Sequence, residues 1–252
     1  VFWWIMQSSD RYVITYMLGS DANGLYAVAN KIPTIISTIS SIFFQAWQIS
    51  SVEEVNSKDK TIFYSRVFSV LSALLTCATS FLLVILQPLY RVLTEESYYI
   101  GWVATPFLLF AMVFSCYSSF LGTNYVAMKK TTGVFLTTVG GAVINIVLNI
   151  FLTRPFGIIG TAVATAVGFF ITWGARVFGT RRFVRIRYPL RTFIVPTVLL
   201  LAQTVLLSVG VNSIWIQCIF FAVIVILYID IIVMCCKKGI FFAKSLLNRK
   251  KA

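Results

Sequence analysis

Six stretches of this chain contain no charged residue over 21 residues or more: 32–52, 67–90, 97–128, 131–153, 155–175 and 192–229. A helix rises 1.5 Å per residue, so about 20 apolar residues cross the ~30 Å hydrocarbon core of a bilayer. Each stretch meets that length. The run from residue 192 continues past Asp230 to Cys236, 45 residues in all, which is enough for two helices joined at Gly210-Val211-Asn212-Ser213. The opening segment, Val1 to Leu18, is apolar but carries Asp10 and Arg11. The expectation is an all-α, polytopic membrane protein of about eight transmembrane helices. They are placed at about 1–18, 24–50, 62–87, 99–126, 132–153, 157–177, 191–210 and 213–235.

Composition removes the soluble alternatives. Hydrophobic residues make up 59% of the 252 and charged residues 12%, too few charges to cover a water-facing surface. There is no histidine, so Ser–His–Asp triads and histidine metal sites are excluded. The five cysteines lie in or at the end of apolar runs without a C-x-x-C pair, and are expected as small buried apolar side chains. No cofactor is implied.

The net charge of +13 has two readings, nucleic acid or membrane topology. Position decides between them. The connections after helices two, four and six, together with the tail, hold 17 of the 21 basic residues. The other connections hold only Arg91 and Arg154. That asymmetry follows the positive-inside rule and puts the C-terminus in the cytoplasm, with no nucleic-acid partner. Trp47 and Trp173 fall near inner helix ends and Trp102 and Trp215 near outer ends, as an aromatic belt would. The chain opens on Val1-Phe2-Trp3-Trp4 without a basic leader, so it is expected to begin inside a larger protein. The tail from Lys237 to Ala252 mixes lysines with Ile240, Phe241, Leu246 and Leu247. It reads either as a helix lying on the inner leaflet or as a solvated tail.

Polar residues inside the apolar runs point to function. Tyr26, Asn30, Thr34, Ser37, Ser41, Gln45 and Gln48 recur every 3.7 residues on average, roughly the α-helical period of about 3.6. One face of the second helix is therefore polar from end to end. Such a face is costly in lipid and is expected to line a bundle interior or a water-filled cavity. Pro33 sits within it and frees a backbone carbonyl. Lys31 lies on the same helix. Asp10 and Arg11 lie in helix one with Gln7, at spacings that share a face. Charges at such depth need shelter from other helices, so Arg11, Lys31 and Asp10 are candidate binding residues. Asp230 is expected to pair with lysines at the membrane edge.

Two later helices carry complementary small and amide residues. Gly160, Ala164 and Gly168 form one stripe; Gly141, Asn145 and Asn149 form another at the same spacing. Joined by Arg154-Pro155-Phe156-Gly157, they are expected to pack as a tight antiparallel hairpin.

Asn145-x-x-x-Asn149, followed by Pro155-x-Gly157-x-x-Gly160-x-Ala162, resembles the fifth-to-sixth helix hairpin of one lobe of the Wzx-type polysaccharide flippases. These belong to the multidrug/oligosaccharidyl-lipid/polysaccharide exporter superfamily. Ser9-Asp10-Arg11-Tyr12, Leu18-Gly19 and the run Gly24 to Ile32 are similar to the start of that family's second lobe. The resemblance implies a two-lobe transporter of which this chain is the C-terminal half. Residues 1–177 would be the second six-helix lobe and 178–190 a basic cytoplasmic loop. Residues 191–236 would be two additional helices and 237–252 a basic tail.

It further implies a flippase, not an enzyme, in the cell membrane. The cargo would be undecaprenyl-diphosphate-linked oligosaccharide repeat units carried from the inner to the outer leaflet. The partners are that lipid-linked oligosaccharide, membrane lipids and the missing N-terminal lobe. The substrate contacts are expected at Arg11, Lys31, Asp10, Tyr26, Asn30, Thr34, Ser37, Ser41 and Gln45. A lipid II flippase or multidrug antiporter of the same fold stays open. A membrane glycan polymerase or acyltransferase is disfavoured by short outer connections and the absence of histidine.

Overall fold

The computed structural model describes residues 2–54, 57, 59–211 and 213–237, with side chains from Ser8 onward. Every regular element among them is helical: α1 (Phe2–Leu18), α2 (Ser20–Ala29), α3 (Lys31–Glu53), α4 (Lys60–Leu93), α5 (Thr105–Ala127), α6 (Thr131–Thr180), α7 (Val195–Ser208), α8 (Ile214–Leu227) and α9 (Ile229–Lys237). A 3₁₀ helix, Glu96–Val103, leads into α5, and a π turn, Leu190–Ile194, leads into α7. Four helices are long and apolar enough to span a bilayer: α4, α5, α6 and the stretch Leu190–Ser208. The pairs α2–α3, bent by 41°, and α8–α9, bent by 60°, bring that number to six. α6 is two helices in one, and α1, at 17 residues, is about 26 Å long. The eight expected spans therefore each have a helix or a bent pair.

The breaks have local causes. Gly19 between α1 and α2 has φ +92°, a conformation that costs glycine little. α6 reverses at Gly157, φ 58° and ψ −143°, just after Pro155. The two halves then run antiparallel, with Thr153 against Thr161 and Asn145 against Thr165. The hairpin closes because its facing residues are small. A β-carbon on Gly160 would collide with the Leu152 carbonyl, and one on Gly141 with Thr172.

At the α2–α3 bend, Pro33 cannot donate to the Ala29 carbonyl one turn back. The Thr105 hydroxyl from α5 donates to that carbonyl instead, at 3.3 Å. Thr105 in turn shares a 2.6 Å hydrogen bond with the Tyr90 hydroxyl of α4.

α5 is the central helix, buried along most of its length. Trp47 stacks on its Phe120 with ring centroids 4.4 Å apart, and Phe68, Tyr117 and Phe193 pack alongside. α7 and α8 are tied to α4 by polar groups. Ser80 Oγ donates to Gln203 Oε1 at 2.7 Å, and Ser72 lies 3.0 Å from both the Tyr117 and Tyr228 hydroxyls. Much of the outer surface is apolar, with Ile42, Phe135, Phe151, Phe178 and Ile226 exposed, as a lipid-facing surface requires.

Several expectations change. Trp47 and Trp102 are buried, and Trp47 donates to Thr123 Oγ1 at 2.6 Å; Trp215, 77% exposed, is the belt residue that stands at the surface. Stacking on Phe120 of α5 outweighs the interfacial preference of Trp47, and Trp173, half-buried, packs on Phe114 of the same helix. Among the cysteines Cys116 is buried, Cys77 half-buried, and Cys218, Cys235 and Cys236 exposed. Those three lie on the outward side of α8 and α9, where an apolar thiol meets lipid as readily as a core. Arg176, expected in a cytoplasmic connection, lies inside α6 and is only 6% exposed. Asp230 is exposed, and the tail beyond Lys237 lies outside the described residues.

Candidate functional site

A cavity of about 470 Å³ opens between α1, α3, α5 and the second half of α6. Ser8, Asp10 and Arg11 come from α1, Asn30 from the α2–α3 bend, and Thr34 and Ser37 from α3. Leu108 and Met112 of α5 and Thr165 and Phe169 of α6 form the opposite wall. Asp10 is the ninth residue of α1, so the cavity sits near mid-bundle. The bend at Asn30 and the small hairpin residues leave this space.

The deepest polar group is Asp10, 2% exposed. Its Oδ1 accepts from Asn149 Nδ2 at 2.6 Å. Its Oδ2 accepts from the Tyr26 hydroxyl at 3.0 Å and from Thr165 Oγ1 at 2.8 Å. Asn145 Nδ2 in turn donates to Thr165 Oγ1 at 3.3 Å. All these donors are uncharged. The Asn149 amide oxygen, buried beside the carboxylate, has no partner among the described residues. A carboxylate held this way, facing a polar cavity, can take up a proton or a small hard cation. No cluster of three or more His, Cys, Asp or Glu side chains suited to a metal occurs among the described residues.

Arg11, next in sequence, is exposed and lines the cavity. It is the cation that could meet a phosphate there. Five expected site residues thus converge: Asp10, Arg11, Asn30, Thr34 and Ser37. Tyr26 stands behind them, buried, with its hydroxyl on Asp10. Lys31, Ser41 and Gln45 are exposed on α3 outside the cavity lining. Gln48 is also exposed, so the polar face continues along α3 beyond the cavity.

Thr165 and Phe169 were not anticipated. Asn145 and Asn149 were expected only as packing residues. Two amides at i and i+4 on a small-residue hairpin were a usable signal, because buried amides need partners and Asp10 was the buried acceptor left to find.

No family profile matches the sequence, and no curated protein matches it. Among solved structures, the chain superposes on the lipid II flippase MurJ in an inward closed conformation. The TM-score is 0.67 at 16% identity, covering 90% of this chain and 51% of that one. The chain therefore spans about half the length of the structure it matches. What is shared is the fold: the helical arrangement of half of a polytopic membrane transporter.

Proposed function

We propose that this chain is the C-terminal half of a flippase in the cell membrane, with its C-terminus in the cytoplasm. Its cargo is an undecaprenyl-diphosphate-linked oligosaccharide repeat unit, moved from the inner to the outer leaflet. The observation that carries the reading is the polar mid-bundle cavity with Arg11 on its wall, in a fold shared with a flippase half. Arg11 meets the diphosphate; Asn30, Thr34 and Ser37 offer hydrogen bonds to sugar hydroxyls, and Phe169 supplies an aromatic wall. The open polar face of α3, with Lys31, Ser41 and Gln45, extends the path toward the other lobe. Asp10 couples the cycle by gaining and losing a proton or cation. The likeness to a lipid II flippase favours lipid II as the second reading, since that cargo has the same polyprenyl diphosphate and sugar chemistry.

The test is delivery of lipid-linked repeat units to the outer leaflet by the full-length protein. Arg11→Ala and Lys31→Ala at normal expression are expected to lower flux. Unchanged flux in both overturns the assignment, and a preference for lipid II in reconstituted vesicles selects the second reading.

A further inference from the structure

A second groove, of about 370 Å³, lies on another side of the molecule and shares no lining residue with the cavity. It runs between the first turns of α4, the segment 187–192 and α9. Arg66 of α4 and Arg187 border it beside Thr192 and Ser69, whose hydroxyl donates to the Ser65 carbonyl at 2.9 Å. The backbone N–H of Arg187 donates to Ser65 Oγ at 3.0 Å, which pins the segment to α4 one residue from Arg66. The rest of the lining is apolar and includes Ile231 and Met234 of α9. Among the described residues no acidic side chain lines the groove. Both arginines are exposed.

A second arginine-lined hollow adjoins it and shares Arg187; Arg181, Arg182 and Arg185 belong to it, again without an acidic residue among those described. Cations beside an apolar wall match an amphiphile with an anionic head. Arg66 is six residues into α4, about 9 Å along the helix axis, where a long side chain reaches the headgroup level. Basic pockets between helices on the cytoplasmic side take anionic headgroups in this way. A soluble phosphate would gain nothing from Ile231 or Met234.

We infer that this groove is a binding site for an anionic phospholipid of the leaflet that faces the arginine-rich end. Its phosphate sits between Arg66 and Arg187, and its acyl chains lie along α4 and α9. The site is independent of the cargo cavity and holds α9 and the 181–189 segment against α4.

The full-length protein is released from nanodiscs of equal phosphatidylglycerol and phosphatidylethanolamine, and retained lipid is counted by native mass spectrometry. Phosphatidylglycerol is expected to be retained roughly tenfold over phosphatidylethanolamine. Arg66→Ala with Arg187→Ala is expected to abolish that preference. Arg91→Ala with Arg154→Ala removes the same charge elsewhere and is expected to keep it. Equal retention of the two lipids by the unmodified protein, a measurement that needs no variant, overturns the site. So does an unchanged preference in the Arg66/Arg187 variant. Displacement of the lipid by millimolar inorganic phosphate would make the groove a simple phosphate site. Preferential retention of undecaprenyl phosphate would give it to the cargo lipid. Either result also overturns the inference.

Discussion

Asn149 Nδ2 donates to Asp10 Oδ1 at 2.6 Å across 139 residues of sequence, fastening α1 into the hairpin of α6. With Tyr26 and Thr165 on the other oxygen, one carboxylate gathers α1, α2 and both halves of α6. Asp10→Ala leaves those three donors without their acceptor, at about 1–3 kcal/mol for each one that stays buried and unpaired. Some will find other partners within the bundle, so the expected loss is on the order of 2–4 kcal/mol. Asp10→Asn keeps the volume and one acceptor oxygen and should fall between. Thermal midpoints of the full-length protein in detergent give the order directly. Equal midpoints for all three would show that the carboxylate does not hold the helices.

The same residue carries a separate prediction about coupling. Asparagine at position 10 cannot change its charge. Vesicles containing Asp10→Asn are expected to lose the response of transport to an imposed proton or sodium gradient, while still binding cargo. A response as large as that of the unmodified protein would take Asp10 out of the coupling step.

Much of this framework could be read in the sequence, and the division has physical reasons. Helix positions followed from charge-free runs, and the α6 hairpin from two small-residue stripes around Pro155 and Gly157, because both are local patterns. The polar face of α3 was legible for the same reason, and Asn30, Thr34 and Ser37 do line the cavity. Asp10 and Tyr26 are legible singly, but their meeting with Asn149 and Thr165 is not, because these residues come from helices far apart in sequence. Arg176 shows the opposite failure: position near a basic segment suggested a loop charge, whereas three acceptors on neighbouring helices hold it inside.

Arg176 is buried without a carboxylate partner among the described residues. Its guanidinium donates to Thr137 Oγ1 at 3.1 Å, Thr138 Oγ1 at 2.8 Å and the Ser118 carbonyl at 2.7 Å. A β-carbon on Gly122 would stand 2.9 Å from its Nη1, so the neighbouring helix is cut to fit. The planar fork reaches three acceptors at once, which an ammonium cannot copy. Arg176→Lys is therefore expected to cost nearly as much as Arg176→Ala, about 2 kcal/mol. Gly122→Leu should show a comparable loss. Full retention of the midpoint in Arg176→Lys would mean that charge, not shape, is what the site requires.

Glycines on one helix should divide sharply. A methyl on Gly160 meets the Leu152 backbone carbonyl, which has little room to move, while one on Gly140 meets nothing within 4 Å. Gly160→Ala is expected to destabilise by more than about 2 kcal/mol, because closing the hairpin needs that contact. Gly140→Ala should be neutral, or stabilising by up to about 1 kcal/mol from helix propensity. Similar effects at both positions, measured by thermal unfolding, would argue against the close approach at the turn.

The bend between α2 and α3 allows the most discriminating test. Tyr90, Thr105 and the Ala29 carbonyl form a relay of two hydrogen bonds, and the second replaces the bond that Pro33 cannot make. Thr105→Val removes the hydroxyl and orphans both ends, at an expected cost of about 1–3 kcal/mol. Pro33→Ala restores a backbone N–H that can reach the Ala29 carbonyl. In that background Thr105→Val leaves only the Tyr90 hydroxyl unpaired and should cost less. The double-mutant cycle should therefore show a coupling of about 1 kcal/mol between residues 33 and 105. The Pro33→Ala helix is also expected to straighten, moving Asn30 relative to Thr34 and lowering transport even where the protein is more stable. A coupling of zero would mean that the Thr105 bond and the proline break are unrelated, and that the bend has another cause.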